Sequence, residues 1–81
     1  MADHSPTTLY FYGTLDCHLC EIAEERLKSA KISFQYIDIS EDDALIERYG
    51  WFIPVLKLGD EEFKSPLDFE SLIPYLQKQH P

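Results

Sequence analysis

The sequence predicts an α/β domain with the element order β-α-β-α-β-β-α, a four-stranded mixed sheet and helices on both faces. Three observations lead there. Short apolar runs rich in β-branched and aromatic residues alternate with segments of helical period. The opening strand, helix and strand form a right-handed parallel unit. The two later strands are separated only by Gly59-Asp60, a Gly-first connection that folds a hairpin. At 81 residues the chain is one domain, 1–81, long enough for a core but with a thin stability margin.

The elements follow in order. Thr7 to Tyr12, "TTLYFY", is a nearly continuous apolar run suited to a buried central strand, and Gly13-Thr14 ends it. A helix is expected from Cys17 to Ser29 with Asp16 as N-cap. Leu19, Ile22, Ala23, Leu27 and Ala30 recur at helical spacing and predict its buried face. "ISFQYIDI", Ile32 to Ile39, reads as the second strand. "SEDDALIERYG" reads as the second helix, with Ser40 as N-cap, Asp43 in the capping-box position and Gly50 in the left-handed C-terminal position. "PVLKL" and "EEFK" supply the hairpin. The last segment, "SPLDFESLIPYLQK", is helical by period. With Ser71 as N-cap, Pro74 falls in the first turn, where a proline is tolerated.

Composition narrows the function classes. A formal net charge of −8 argues against nucleic acid and against anionic membranes, both of which are held through Lys and Arg. No stretch is apolar enough to span a bilayer, and the opening "MADHSP" lacks the basic and apolar regions of an export signal. A cytoplasmic location is therefore expected. Structural disulfides are rare there, so a close cysteine pair reads as reactive or metal-binding.

Cys17 and Cys20 are the only cysteines, and they fall at the predicted start of the first helix. A thiol attacks a disulfide as thiolate, and a helix N-terminus favours that charge. Cys20 precedes Ala23 by three and Leu27 by seven, so it borders the buried face, while Cys17 sits at the exposed tip. The spacing assigns Cys17 as the attacking sulfur and Cys20 as the resolving one. His18, pointing outward between them, favours the thiolate when protonated. Glu21 opposes it, and Glu24 adds a weaker push that Lys28 relieves. The expected chemistry is a reductant's. A zinc site wants four ligands, and Cys17, Cys20, His18, His4 and His80 include no second pair at ligand spacing.

"LYFYGTLDCHLC", "YIDI" and "ERYGWFIPVLKL" together resemble the glutaredoxin-like proteins of the thioredoxin-fold superfamily, in particular a small bacterial group, over nearly the full length. The resemblance implies a thioredoxin-like fold and a cis proline opposite the CxxC motif. Pro54 matches it, with the Ile53 backbone offered to an incoming thiol-bearing peptide. It also implies a role near the substrate for Asp68, in "KSPLDFE", the region where glutaredoxins hold the γ-glutamyl end of glutathione. Trp51 and Phe52 flank the proline and read equally as an apolar lip for a protein substrate or as core. Tyr12 is a strand-end aromatic near the site.

The chain departs from that pattern in three places. Its motif has no proline between the cysteines. Thr14-Leu15-Asp16 stands where a basic anchor is usual, and the paired glycines before Asp68 are missing. Glutathione, an anionic tripeptide, stays a candidate co-substrate that is expected to bind poorly.

The function expected is thus a thiol–disulfide oxidoreductase acting on a disulfide-bearing protein or small thiol substrate and reset by an external reductant. It needs no bound cofactor and no metal, and a monomer is expected. Two other readings are a non-catalytic binding module using the Trp51-Phe52 surface and a metal or iron–sulfur site built on the CxxC.

Overall fold

The computed structural model describes residues 8–79. The candidate ligands His4 and His80 lie outside them. The elements are β1 (Leu9–Gly13), α1 (His18–Ser29), β2 (Gln35–Asp38), α2 (Asp43–Tyr49), β3 (Val55–Leu58), β4 (Glu61–Lys64) and α3 (Phe69–Gln79), with a 3-10 turn at Ile39–Glu41 before α2. The sheet order is β2-β1-β3-β4. β1 runs parallel to β2 and antiparallel to β3, and β4 returns antiparallel on β3. This is the mixed sheet the sequence predicts.

Alternation along the central strands divides two cores. Leu9 and Phe11 of β1 and Leu56 and Leu58 of β3 point to one face, where Ala23 and Leu27 of α1 and Leu72 and Leu76 of α3 cover them. Val55 points to the other face and packs with Ile39 and Tyr49, with Tyr12 at the margin. Arg26 of α1 stacks 5.2 Å over the Phe69 ring of α3, closing the seam between the two helices that share a face.

Helix ends depart from expectation where two side chains compete for one cap. Cys17, not Asp16, is the N-cap of α1: its backbone is extended (φ −107°, ψ 109°) and its sulfur accepts from the Cys20 N–H. Ser40 does not cap α2. Its N–H and hydroxyl both donate to Asp38, at 2.9 and 2.7 Å, and this heads the 3-10 turn instead. The Asp42 carboxylate then caps α2 through the N–H groups of Ala44 and Leu45, a charged acceptor outcompeting a hydroxyl. Gly50 is right-handed helical (φ −54°, ψ −32°), not left-handed. α3 starts two residues before Ser71, because Asp68 receives both the Glu70 N–H and the Ser71 hydroxyl. Pro74 therefore lies inside the helix. The carbonyl it leaves without a donor is that of Glu70, an exposed residue that water can serve.

The C-terminus of α1 closes with paired bonds from Ile32 N–H to the Leu27 carbonyl and Lys31 N–H to the Lys28 carbonyl, each 3.0 Å. This is the Schellman arrangement, with Lys31 in the left-handed position (φ 61°) that glycine prefers. Lys31→Gly is expected to raise stability by about 0.5–1 kcal/mol, because the Cβ penalty outweighs the added freedom of the unfolded chain. Urea unfolding midpoints check it, and a lower midpoint for the variant would contradict it. At the β3–β4 connection Gly59 (φ 61°) takes the left-handed first turn position.

A polar network ties α2 to β4. The Tyr49 hydroxyl donates to Glu62 at 2.6 Å, and Arg48 approaches the same carboxylate at 3.5 Å. Burial and the Glu62 carboxylate push Tyr49 up to about 12, and the Tyr49 hydroxyl in turn holds Glu62 below its ordinary value. The raised group stabilises the fold fully below about pH 10 and loses that contribution as pH rises toward 12. The depressed carboxylate contributes above its unfolded value and loses that as pH falls through its folded one. Tyr49→Phe should cost about 1.5 kcal/mol at neutral pH and remove the alkaline part of the loss. Unfolding midpoints taken from pH 4 to 11 read both effects, and coincident wild-type and variant profiles would contradict them.

Candidate active site

β1 ends against the start of α1, and the two cysteines lie at that junction. Cys17 is half-buried and Cys20 is only 3% exposed. The Cys20 N–H donates to Cys17 Sγ at 3.1 Å, and the Glu21 N–H to the Cys17 carbonyl at 3.1 Å. A sulfur so placed accepts a stronger hydrogen bond when it carries charge. Cys20 sits one turn deeper. Burial first, and then its hydrogen bond with Cys17, push the Cys20 thiol up to about 12. Gly13 makes room for it: a Cβ there would lie 3.0 Å from Cys20 Sγ and 2.9 Å from the Phe11 ring. Both sulfurs are free thiols.

The Ile53–Pro54 peptide bond is cis. Ile53 and Cys17 pack against the same core cluster, and Ile53 also borders the second one. A second cis bond, Ser65–Pro66, lies in the loop after β4. The two loops are joined: the Ser65 N–H donates to the Phe52 carbonyl at 3.1 Å, and Lys64 lies 4.7 Å over the Phe52 ring.

Leu19 and Ile22 are not part of the buried face of α1; they are 54% and 39% exposed. The stripe that turns inward is Cys20, Ala23 and Leu27. Leu19 and Ile22 instead wall a groove of about 150 Å³ with Pro54, Pro66, Leu67 and Phe69. The groove thus connects the CxxC helix to both cis-proline loops. Its signal in the sequence was an apolar stripe too wide for a 12-residue helix to bury whole.

The other expected residues scatter around this centre. His18 is exposed and lies 3.9 Å from Glu21. Trp51 is 92% exposed beside the proline loop, so of its two readings core filling is excluded, while Phe52 is partly exposed under Lys64. Tyr12 stacks on Tyr49, 4.6 Å between ring centres, on the sheet face opposite α1. Asp68 caps α3 and borders an opening between β4 and α3. That opening of about 510 Å³, bordered also by Glu61, Phe63, Leu72 and Tyr75, contains neither cysteine. Tyr36, to which the sequence gave no role, borders a separate cavity of about 500 Å³ at Cys20, with Thr14, Leu15, Glu21 and Glu24. Among the described residues, no group of three or more His, Cys, Asp or Glu side chains is placed to hold a metal ion. No helix among them is long and apolar enough to cross a membrane.

Topology and site together define a thioredoxin-fold domain with a CxxC dithiol at a helix tip. A family profile described as "Glutaredoxin-like domain (DUF836)" matches residues 8–77, and the chain belongs to this family. Among solved structures it is similar to protein XcR50 from X. campestris, with 36% identity, a TM-score of 0.76, and coverage of 88% of this chain and 97% of that one. Protein Ne2328 from Nitrosomonas europaea is 31% identical, with a TM-score of 0.63 and coverage of 94% and 98%. Thioredoxin 1 from Thermosipho africanus TCF52B, at 15% identity, a TM-score of 0.60 and coverage of 88% and 91%, shares the fold. No curated protein matches the chain.

Proposed function

We propose that the domain is a dithiol–disulfide oxidoreductase that reduces disulfides, with Cys17 as nucleophile and Cys20 as resolving thiol. The observation that carries this is the unequal burial of two sulfurs at one helix tip, the outer one accepting a helix N–H at 3.1 Å. Cys17 thiolate attacks one sulfur of a substrate disulfide, forming a mixed disulfide and expelling the first substrate thiolate. Cys20 thiolate then attacks Cys17 Sγ, expels the second and closes the Cys17–Cys20 bridge. The substrate gains two electrons and two protons, and the protein becomes a disulfide that an external dithiol reductant resets. The cycle uses no bound cofactor and no metal.

Protein disulfides fit this site better than glutathione. The groove on the CxxC helix is walled by Leu19, Ile22, Pro54 and Phe69, which suits apolar side chains of an extended peptide held along the Ile53 backbone. Trp51 and Phe52, exposed just before Ile53 in the chain, offer further apolar surface. Tyr12 and Ile53 pack against the same small cluster of Ile39, Tyr49 and Val55, and the exposed His18 follows Cys17 on α1. The paired glycines before Asp68 are missing, and a net charge of −8 repels an anionic tripeptide. The same charge disfavours nucleic acid and anionic membranes. A cytoplasmic monomer fits this role.

The test is turnover: reduction of a protein disulfide with dithiothreitol or with glutathione as the electron source. Turnover with the dithiol, and much less with glutathione, is expected. No turnover with either would favour the second reading, a non-catalytic docking domain, for which the solvent-exposed Trp51 is the supporting observation.

A further inference from the structure

β4 is an outer strand, and its free side is open. The sheet order β2-β1-β3-β4 leaves it no neighbour beyond β3 among the described residues. Alternation along an antiparallel pair decides which of its backbone groups are unused. Leu58 and Glu61 flank the Gly59-Asp60 turn and bond each other, so Glu61 and Phe63 turn their N–H and C=O groups toward β3. The Ser65 N–H continues that inward row, donating to the Phe52 carbonyl at 3.1 Å. Glu62 and Lys64 therefore aim theirs outward, and among the described residues no backbone bond from outside the sheet reaches them.

We infer that β4 pairs antiparallel with β4 of a second copy of this chain, Glu62 opposite the partner's Lys64 and Lys64 opposite the partner's Glu62, about a two-fold axis at Phe63. The two sheets join into one, and the outward N–H and C=O groups of Glu62 and Lys64 are all satisfied.

Charge selects both the partner and the register. Charged side chains on a free edge repel arbitrary strands. Under a two-fold axis the outward-facing residues meet their own copies or each other. Glu62 against the partner's Glu62, or Lys64 against the partner's Lys64, opposes like charges, which destabilises a ladder. Glu62 against the partner's Lys64 opposes unlike charges, and symmetry makes that contact twice. The side chains are ready for it. Tyr49 and Arg48 both approach Oε2 of Glu62, and among the described residues no hydrogen bond is made to its Oε1. Lys64 is exposed, 4.7 Å over the Phe52 ring, and forms no ion pair among the described residues.

The other face of β4 is also complementary to itself. Phe63 is half-buried at the opening between β4 and α3, with Leu72 and Tyr75 behind it. In this register Phe63 meets the partner's Phe63 as a non-hydrogen-bonded pair, with Cα atoms about 4.5 Å apart, so each ring covers the other. A net charge of −8 on each copy opposes association. At physiological salt, charges more than about 8 Å apart are largely screened, while a cross-strand pair in contact is screened much less. The contact is small, 4 residues from each strand, so the pair is weak and forms at high concentration. Neither cysteine lies on β4. A single chain runs the dithiol cycle, and the pairing stands or falls independently of it.

The experiment is sedimentation equilibrium of the full chain up to about 2 mM, in dithiothreitol so that no intermolecular disulfide contributes. The wild type should pass from monomer to dimer with a dissociation constant on the order of 0.1–1 mM. Lys64→Glu, which sets like charges opposite each other twice, should raise that constant about 10-fold or more, and Lys64→Arg should leave it within about 3-fold. A second measurement needs no variant. In a mixture of isotope-labelled and unlabelled wild-type chains, an intermolecular nuclear Overhauser effect should join the Phe63 Hα of one copy to the Phe63 Hα of the other. A wild type that stays monomeric at 2 mM would overturn the inference and leave the edge to a strand of another protein. A dimer that lacks the Phe63 contact, or that persists in Lys64→Glu and is lost in Trp51→Ala, would place the contact elsewhere and overturn it too.

Discussion

Cys17→Ser is expected to lower disulfide reduction by about 10³-fold or more, the largest functional effect of any single change. Serine retains the N-cap, since its oxygen accepts from the Cys20 N–H as the sulfur does. Helix α1 and stability are therefore preserved, and only the nucleophile is lost. Cys20 cannot substitute, because at 3% exposure an intermolecular disulfide does not reach it. The complementary change, Cys20→Ser, leaves the attack intact and removes resolution, so the protein should accumulate as a stable mixed disulfide of added mass. The assay is dithiol-driven turnover with circular dichroism to verify folding. A Cys17→Ser variant that folds and retains more than a tenth of wild-type turnover would contradict the role given to this sulfur.

Phe11→Ala is expected to be the most damaging change to the fold. Phe11 is fully buried in the central strand and lies against Phe34 and Tyr36, with 5.3 Å between ring centres in each case. Truncating such a side chain costs about 3–5 kcal/mol, transfer and cavity terms together. A domain of 81 residues has roughly 4–12 kcal/mol in total. The variant should thus lose a quarter or more of its stability, with Tm falling by roughly 15–30 °C. The site should suffer with the core, because the Phe11 ring and Cys20 Sγ converge over Gly13. Trp51→Ala is the contrast. At 92% exposure it should alter stability by under about 0.5 kcal/mol. Thermal unfolding of the two variants side by side checks both, and a fall of less than about 5 °C for Phe11→Ala would contradict the account of the core.

The strands, the hairpin and the depth of each cysteine were legible because each rests on a local period. Alternation places Leu9 and Phe11 on one face, and a three-residue offset to Ala23 turns Cys20 inward. What was not legible depended on competition between neighbours. Ser40 is a good cap in isolation, yet Asp38 and Asp42 on either side outbid it. The capping of α3 by Asp68 was not read either: its oxygens accept from the Glu70 N–H and the Ser71 hydroxyl, where Ser71 itself was the expected cap. Leu19 and Ile22 fit a helical period and still face outward, because α1 is covered by β1 and α3 only along the Cys20-Ala23-Leu27 line. Period predicts which residues share a face; it does not tell how much of that face another element covers. The cavity at Cys20 needed Tyr36 from β2, a partner that arrives through the parallel crossover and leaves no trace in the CxxC segment itself.

The central claim is that Cys17 and Cys20 interconvert reversibly between dithiol and disulfide at potentials set by cellular thiols. Equilibration in graded dithiothreitol or glutathione buffers, with the oxidised fraction counted by mass after alkylation, measures this directly. The account predicts one two-electron transition, a tenfold change in ratio per roughly 30 mV, centred between roughly −180 and −270 mV and lost in Cys17→Ser. Two thiols that stay independently alkylated across that whole range, with no bridged species, would contradict it.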